Sequence, residues 1–523
     1  MYRKVTSLSK QSAIYGLGTF LNQGLNFFLI PLYTRFLTRE EYGISVSVTA
    51  ILGVLSIVLT LSLESAIARF YYDFDTEEER RAYFGSMWSF LMVFGLAITL
   101  ILNATGNRLF DWIFRDVPFD PYGRLALWST YVGVTGVIPI VMFRVREQAR
   151  TFVAFSVSQF LLRIVLNIVT VVFLHQGVTG IFVSMLISNL VYAVPFTWIT
   201  WKGMRLTFPG PPAGAATATE GGRQIRKEGG RQIRKEGNPL AQLRASLAYS
   251  MPFVPHRLSN WVLNVSDRIL LQNFVSLGDL GLYGLGYRFG LMLAAVFDAI
   301  NMAWAPFYFK TAKETGGREA LARLVTYYVF VVSFFTLGTV LLSREILFLV
   351  ADTKFWPAYR VVPPVAFAYG LHGLYLAMVT GQSYVKKTAR IPLYTGISAA
   401  VNVGLNLLLI PRYGIMAAAW STFIAYFLRA ILISVDSIRV FPIPYEYRRL
   451  GWGIGIGLAL SAGWFIDVGS LWANLAVKAG LLCAYPVVIR FSGLLRPDEI
   501  AGLQLLTRRV GARFSRMLGR SHD

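Results

Sequence analysis

The chain has 523 residues, 55% of them apolar and 15% charged, with a mean hydropathy of +0.52. Soluble domains carry about 25% charged residues and their cores stop growing near about 300 residues, so this composition excludes a water-soluble globular protein. Fifty basic against twenty-eight acidic residues give +22; in a chain this apolar the placement of the charges outweighs their sum, and nucleic acid is set aside as a partner. The single cysteine, Cys483, lies in an apolar run and the four histidines are scattered, which leaves no disulfide, redox or zinc pattern.

A membrane span needs about 20 predominantly apolar residues. Windows of that kind predict an all-α polytopic membrane protein of about fourteen transmembrane helices. The first six begin near Gln11, Tyr42, Tyr83, Tyr122, Phe152 and Val178, and the others near Ser246, Gly281, Leu321, Val361, Pro392, Ile415, Gly451 and Leu471. Arg3, Lys4 and Lys10 precede the first span as in a signal peptide. The span is too long for one and holds Asn22, Gln23 and Asn26, so it reads as a retained helix. Pro363 and Pro364 interrupt the predicted tenth helix.

The predicted organisation is a six-helix half over 1–201, a cytoplasmic linker over 202–244, a second six-helix half over 245–440, two further helices over 441–492 and a basic tail over 493–523. Within the linker, GGRQIRKE occurs twice in tandem, from Gly221 to Glu228 and from Gly229 to Glu236; it adds charge without an apolar face. The tail places Ile500, Leu503, Leu506, Val510, Phe514 and Met517 at helical spacing among five arginines. It suits either an interfacial helix on anionic lipid or a helix docked on the protein's own cytoplasmic face.

Basic residues resist translocation. With the amino terminus inside, 35 Lys and Arg fall in cytoplasmic segments, nine in outer loops and six within spans, which places both termini in the cytoplasm. A weaker repeat relates the halves. FLTREEYG from Phe36 to Gly43 matches FVSLGDLG from Phe274 to Gly281 at an offset of 238. EQAR ending at Arg150 matches KTAR ending at Arg390, and His175-Gln-Gly-Val matches Arg412-Tyr-Gly-Ile, at offsets of 240 and 237. Both halves start from the cytoplasm, so they form parallel repeats about an axis along the membrane normal, as in transporters whose site lies between halves.

The segment SAIYGLGTFLNQGLNFFLIPLYTRFLTREEYG, the later SMPFVPHRLSNWVLNVSDRILLQNFVSLGDLGLYGLGYRFG and the division into six, six and two helices resemble bacterial polysaccharide-biosynthesis flippases. These are the O-antigen and exopolysaccharide translocases of the multidrug/oligosaccharidyl-lipid/polysaccharide exporter superfamily. The resemblance covers Ser12 to about Arg490 and leaves the sugar open. It implies a bacterial inner-membrane protein that turns an undecaprenyl-pyrophosphate-linked oligosaccharide from the cytoplasmic to the outer leaflet. It also implies contact with polysaccharide polymerase and export machinery, and no enzymatic activity.

A charge at the centre of a spanning helix costs about 2.5 to 3.5 kcal/mol, so retained ones face a cavity or a partner. The six basic residues within spans are Arg163, Arg257, Arg268, Arg288, Arg429 and Lys478. Guanidinium forks match a pyrophosphate in a way a lysine does not, and Arg163, Arg257, Arg268 and Arg288 are the candidate ligands of that group. Each of them alone also fits snorkelling or an intramembrane salt bridge. Arg429 lies near a predicted helix end and Lys478 outside the two halves, which places both apart from that group. Asn22 and Asn26, on one helical face, suit either sugar hydroxyls or a neighbouring helix.

Pro252 and Pro255 predict a break in the seventh helix just before His256 and Arg257. Asp267 and Arg268 match an Asp-Arg pair that the family shows in the outer part of that helix. Adjacent residues do not face each other on a helix, so each needs a partner elsewhere, as an inter-helix lock or as a ligand contact. Glu64 and Asp298, near cytoplasmic helix ends, and His256 are candidate coupling groups for a proton or sodium ion; no resident cofactor or metal is expected.

Two other classes fit the sequence less well. A cation-coupled drug exporter on the same fold would favour an acidic and aromatic cavity over arginines. A membrane glycosyltransferase or polymerase would need a large outer loop, whereas the longest one predicted here runs from about Asn103 to Pro121 with Asp111, Asp116 and Asp120. No GxxxxGK[ST] phosphate loop is present in the sequence.

Overall fold

The computed structural model describes residues 27, 29–203, 239–497 and 499. Asn22, Asn26, the tandem GGRQIRKE repeat and the amphipathic tail lie outside these residues. Among the described residues the chain is helical throughout, with no strand, and ten helices are long and apolar enough to cross a membrane.

The first half comprises α1 (Leu29–Phe36), α2 (Arg39–Thr60), α3 (Leu63–Phe70), α4 (Glu77–Ile113), α5 (Arg124–Val134), α6 (Val137–Val145), α7 (Ala149–Asn167) and α8 (Gly177–Gly203). A π-helical turn, Phe119–Gly123, leads into α5, and another, Ile168–Phe173, follows α7. The second half comprises α9 (Pro239–Ser250), α10 (Phe253–Phe274), α11 (Leu277–Thr311), α12 (Gly317–Val350), α13 (Val362–Tyr384) and α14 (Ile391–Val440). The last two helices are α15 (Tyr447–Ser461) and α16 (Leu471–Phe491).

Several boundaries differ from the sequence reading. The outer loop expected from Asn103 to Pro121 is largely helix, because α4 continues to Ile113. Its 37 residues rise about 56 Å, well beyond a hydrocarbon core of about 30 Å. Pro363 and Pro364 start α13 rather than interrupt it; they occupy its first turn, where a missing amide donor costs nothing. The predicted second helix is broken into α2 and α3 by Leu61 and Ser62, both left-handed. The seventh is broken at Met251 and Pro252, one turn ahead of His256, which divides it into α9 and α10. Helices expected to begin near Pro392 and Ile415 form one long element bent at Gly414, whose φ of 57° and ψ of −138° leave the helical region.

The positions matched by the weak repeat share local structure. Thr38 caps α2 by accepting from the Glu41 amide, and Ser276 caps α11 by accepting from the Asp279 amide. Glu147 and Lys386, the latter one place before the matched Lys387, are both left-handed, and in each case the next amide reaches back five residues, Gln148 to the Phe143 carbonyl and Lys387 to the Gln382 carbonyl. Gly177 and Gly414 both have positive φ.

Packing follows three cores. One, built on Leu63, Phe84, Leu91, Ile138 and Met142 of the first half, also takes in Leu243 of α9. A larger one gathers Tyr283, Leu321, Val365 and Ala418 and also takes in Tyr33, Tyr42 and Val46, so the start of the chain is packed into the second half. A third joins Phe330, Leu337 and Leu341 of α12 to Tyr485 and Ile489 of α16. The last two helices thus lean on α12, and Lys478 is fully buried there, 2.6 Å from Glu345. Beyond the helix ends, hydrogen bonds from Asn474 and the Arg344 guanidinium hold the Asp467 carboxyl well below the ordinary carboxylate range.

The halves meet most closely where α2 crosses α11. A Cβ on Gly43 would sit 2.0 Å from the Leu277 carbonyl oxygen, and one on Gly281 would sit 2.3 Å from that of Arg39. Gly43 corresponds to Gly281 and Arg39 to Leu277 in the repeat, so the contact is reciprocal, as a twofold axis generates. Neither carbonyl can move without moving its helix. Gly43→Ala is therefore expected to destabilise the protein by about 1 to 3 kcal/mol. Gly396→Ala, with open space around it, is expected to change little. Thermal denaturation in detergent, followed by the loss of monodisperse protein, checks both.

Candidate functional site: an arginine and tyrosine cluster between the halves

Arg288 lies eleven residues into α11, about 16 Å along the helix. Its guanidinium stands 5.7 Å from the ring centroid of Tyr33 on α1 and 5.2 Å from that of Tyr42 on α2. The Tyr33 hydroxyl donates to Asn167 Oδ1 at 3.0 Å, and the Asn167 amide donates back to the Arg163 carbonyl at 2.8 Å. Arg163 is half-buried on α7, its charge acts on Tyr33 together with that of Arg288, and its Nε is buried without a partner. The Tyr42 hydroxyl is also buried and unpaired. Two guanidinium groups, one from each half, therefore converge on Tyr33. Among the described residues neither has a carboxylate within ion-pair distance.

The other basic residues within spans are engaged. Arg257 forms an ion pair with Glu64 of α3 and lies 3.4 Å from Ser65 Oγ, so this contact ties the halves together beside the break at Met251 and Pro252. The second Glu64 oxygen is buried and unpaired. His256 Nε2 accepts from the Asn260 side-chain amide, 3.2 Å away, and its Nδ1 is buried and unpaired. One turn further on, the Trp261 indole donates to the Ala50 carbonyl at 3.0 Å, a second bond across the halves.

Asp267 and Arg268 are buried inside the second half. Asp267 accepts from the Tyr283 hydroxyl and from the Arg268 amide at 2.8 Å. The Arg268 guanidinium donates to the Asn264 carbonyl at 2.7 Å, stacks 4.2 Å from the Tyr287 centroid and approaches Asp267 to 3.9 Å. Tyr283 is thus the inter-helix partner that the sequence requires for Asp267. Arg268, in contrast, folds back along its own helix, which its long side chain allows although adjacent residues point apart.

Asp298 is half-exposed on α11, and its Oδ1 lies 3.4 Å from His372 Nε2 on α13. Arg429, expected near a helix end, instead sits eleven residues before the end of α14. It donates to His372 Nδ1 at 2.9 Å. Tyr33, Tyr42, Asn167 and His372 were not singled out from sequence. The only cue for Asn167 is its place one helical turn after Arg163, and for His372 its setting between Tyr369 and Tyr375.

The model of the polysaccharide biosynthesis protein family matches residues 8–312, more than half of the chain. The chain belongs to that family. Its relatives include Lsg locus putative protein 1 of Haemophilus influenzae, 22% identical over 310 residues, 58% of this chain and 67% of that one. An uncharacterized membrane protein of the same organism is 21% identical over 404 residues, 76% of this chain and 89% of that one. Among solved structures, the lipid II flippase MurJ in an inward closed conformation superposes with a TM-score of 0.71 at 12% identity, over 92% of this chain and 99% of that one. The Vibrio cholerae MATE transporter VcmN in its bent form gives 0.53 at 14% identity, over 83% and 99%. These likenesses show a polytopic fold shared by flippases and MATE transporters, and this member of the polysaccharide biosynthesis family carries Arg163 and Arg288, without a carboxylate among the described residues, where its halves meet.

The Arg257–Glu64 pair is the polar contact in this cluster that must break if the halves are to part at that level. Arg257→Glu and Glu64→Arg singly are expected to lower thermal stability. The double exchange is expected to restore part of it, with an interaction energy of about 0.5 to 3 kcal/mol. A double-mutant cycle on the detergent-solubilised protein measures it.

Proposed function

We propose that this chain is a flippase that turns an undecaprenyl-pyrophosphate-linked oligosaccharide from the cytoplasmic to the outer leaflet of the bacterial inner membrane. It works by alternating access, driven by a proton or sodium gradient. The observation that carries this reading is the pair Arg163 and Arg288. Each lacks a carboxylate among the described residues. Together with the unpaired Tyr42 hydroxyl they offer donors from both halves to one anion. A pyrophosphate has oxygens on two phosphorus atoms and accepts from two forks at once. Bound there, it would supply the counter-charge that the protein does not.

In this scheme the lipid tail stays in the bilayer while the head group rests between the halves. Arg257 and Glu64 form a lock on one side, and the glycine crossing of α2 with α11 closes the other. Arg268 and Asp267 hold α10 to α11 and act as positioning residues rather than ligands. Asn22 and Asn26 remain candidates for the sugar, and the basic tail for anionic lipid. Glu64, Asp298 and His256 remain coupling candidates. Delivery of the glycan to a polymerase and export machinery follows from the same reading.

The test is reconstitution into liposomes with a fluorescent undecaprenyl-pyrophosphate oligosaccharide, scoring loss of inner-leaflet label. A charge-assisted hydrogen bond contributes about 1.5 to 3 kcal/mol, so Arg288→Ala and Arg163→Ala are each expected to slow transfer by about 10- to 100-fold. Arg288→Lys should fall between, because it keeps the charge and loses the fork. Expulsion of a cationic dye, with no transfer of the lipid-linked sugar under either gradient, would instead favour a drug exporter and make the arginines structural.

A further inference from the structure

The polar chain through Asp298, His372 and Arg429 takes no part in the cluster around Tyr33. It runs across three helices of the second half. His372 is eleven residues from the start of the segment Val361–Val385 and lies midway along α13, and Arg429 is midway along the part of α14 that follows Gly414. An arginine only donates, so the 2.9 Å contact from Arg429 Nη2 fixes His372 Nδ1 as an acceptor. The imidazole proton is then on Nε2, which faces the acceptor Asp298 Oδ1 at 3.4 Å. The neutral ring is held between a cation and an anion.

The surroundings leave little else to share that charge. On its own helix His372 stacks on Tyr375 at 5.8 Å and meets Tyr369 edge-on at 6.3 Å. From α14 it faces Tyr426, 6.3 Å away, and Arg429. From α12, Tyr328 acts on Asp298. Arg429 is buried, its Nε has no partner, and its other contacts are the ring faces of Tyr375 and Tyr426 at 4.4 and 4.3 Å. Asp298, with half of its side chain exposed, is the open end of the chain.

We propose that His372 is a proton-binding site at which an incoming proton and the Arg429 hydrogen bond compete for the same ring nitrogen, so that protonation separates α14 from α13. One proton passes from a hydronium ion to Nδ1, giving imidazolium and water. The imidazolium remains bonded to Asp298, and Arg429 Nη2 must withdraw from a nitrogen that no longer accepts. Two adjacent cations in a medium of low dielectric then repel. The bend at Gly414 lets the following segment of α14 move as a unit. Loss of the proton restores the bond. The device would couple a proton gradient to the movement of the halves, and that use of it rests on the flippase reading; the competition at Nδ1 does not.

Two measurements on the full chain test it. In nanodiscs, the ¹⁵N-imidazole spectrum of the protein, with the His372 signals assigned by their loss in His372→Gln, is expected to show Nδ1 unprotonated and hydrogen-bonded at alkaline pH and protonated at acid pH. Arg429→Gln should abolish the hydrogen-bonded acceptor signal. A proton on Nδ1 at alkaline pH, or a spectrum indifferent to Arg429→Gln, overturns the proposal. In liposomes, a gradient of one pH unit should shift the leaflet ratio of the lipid-linked probe by about tenfold if one proton moves per cycle. This ratio is an equilibrium quantity, so a slowed variant still reports it. Arg429→Lys, which keeps a donor to Nδ1, should retain the shift, and His372→Gln should reduce it to about one. A full shift in His372→Gln overturns the coupling role while leaving the flippase reading intact. If the wild type moves no probe, the flippase reading fails, and the ¹⁵N spectrum still decides the proton site; it also decides where a variant is too slow to equilibrate.

Discussion

Two guanidinium groups without a carboxylate among the described residues, held where two helical halves meet, set the terms for the rest of this structure. Each costs about 2.5 to 3.5 kcal/mol at the centre of a bilayer. Elsewhere in the spans that cost is offset locally: Arg257 has Glu64, Arg268 has Asp267, Lys478 has Glu345, and Arg429 has His372 and two tyrosine rings. Arg288 has instead the rings of Tyr33 and Tyr42, and Arg163 has Asn167 bonded back to its carbonyl. A cation over an aromatic face gains about 0.5 to 2 kcal/mol, which softens the burial without neutralising it. An anion that enters therefore finds a charge deficit already built.

The packing keeps that deficit in place. Gly43 and Gly281 let α2 and α11 approach to backbone contact, and α11 carries Arg288 while α2 carries Tyr42. The same crossing draws Tyr33 into the core of the second half. At another level the halves are joined by an ion pair, an indole hydrogen bond and the hydroxyl contact of Tyr83 on α4 with Ser246 on α9, polar contacts that are cheaper to exchange than a glycine seam. A molecule with one firm and one breakable seam is suited to rock about the firm one, which is the mechanical requirement of alternating access.

Much of the fold was legible in the sequence because bilayer length and apolar composition constrain spanning helices so tightly. The repeat was legible where it encodes caps and turns: Thr38 and Ser276, and Gly177 and Gly414, each have a local backbone reason to persist, and the left-handed Glu147 and Lys386 fall within one residue of register. Breaks without proline were not legible, as at Leu61 and Ser62, since nothing in those side chains demands a left-handed backbone. The arginines were legible as anomalies in apolar runs. Which of them would be paired was not, because pairing depends on the relative rotation of helices distant in sequence, such as Arg257 and Glu64. Tyr33, Tyr42 and His372 were not legible for a related reason: aromatic residues are common in spans, and only their position beside a charge sets them apart.

The central claim is that Arg163 and Arg288 together form an anion site for the head of a polyprenyl pyrophosphate. Binding to the purified protein in nanodiscs, measured for undecaprenyl pyrophosphate, undecaprenyl monophosphate and the uncharged prenol, tests it most directly. Affinity should fall in that order, and the double variant Arg163→Gln, Arg288→Gln should bind all three alike. Equal affinity for the three lipids in the wild-type protein, or an order that the double variant preserves, would contradict the account.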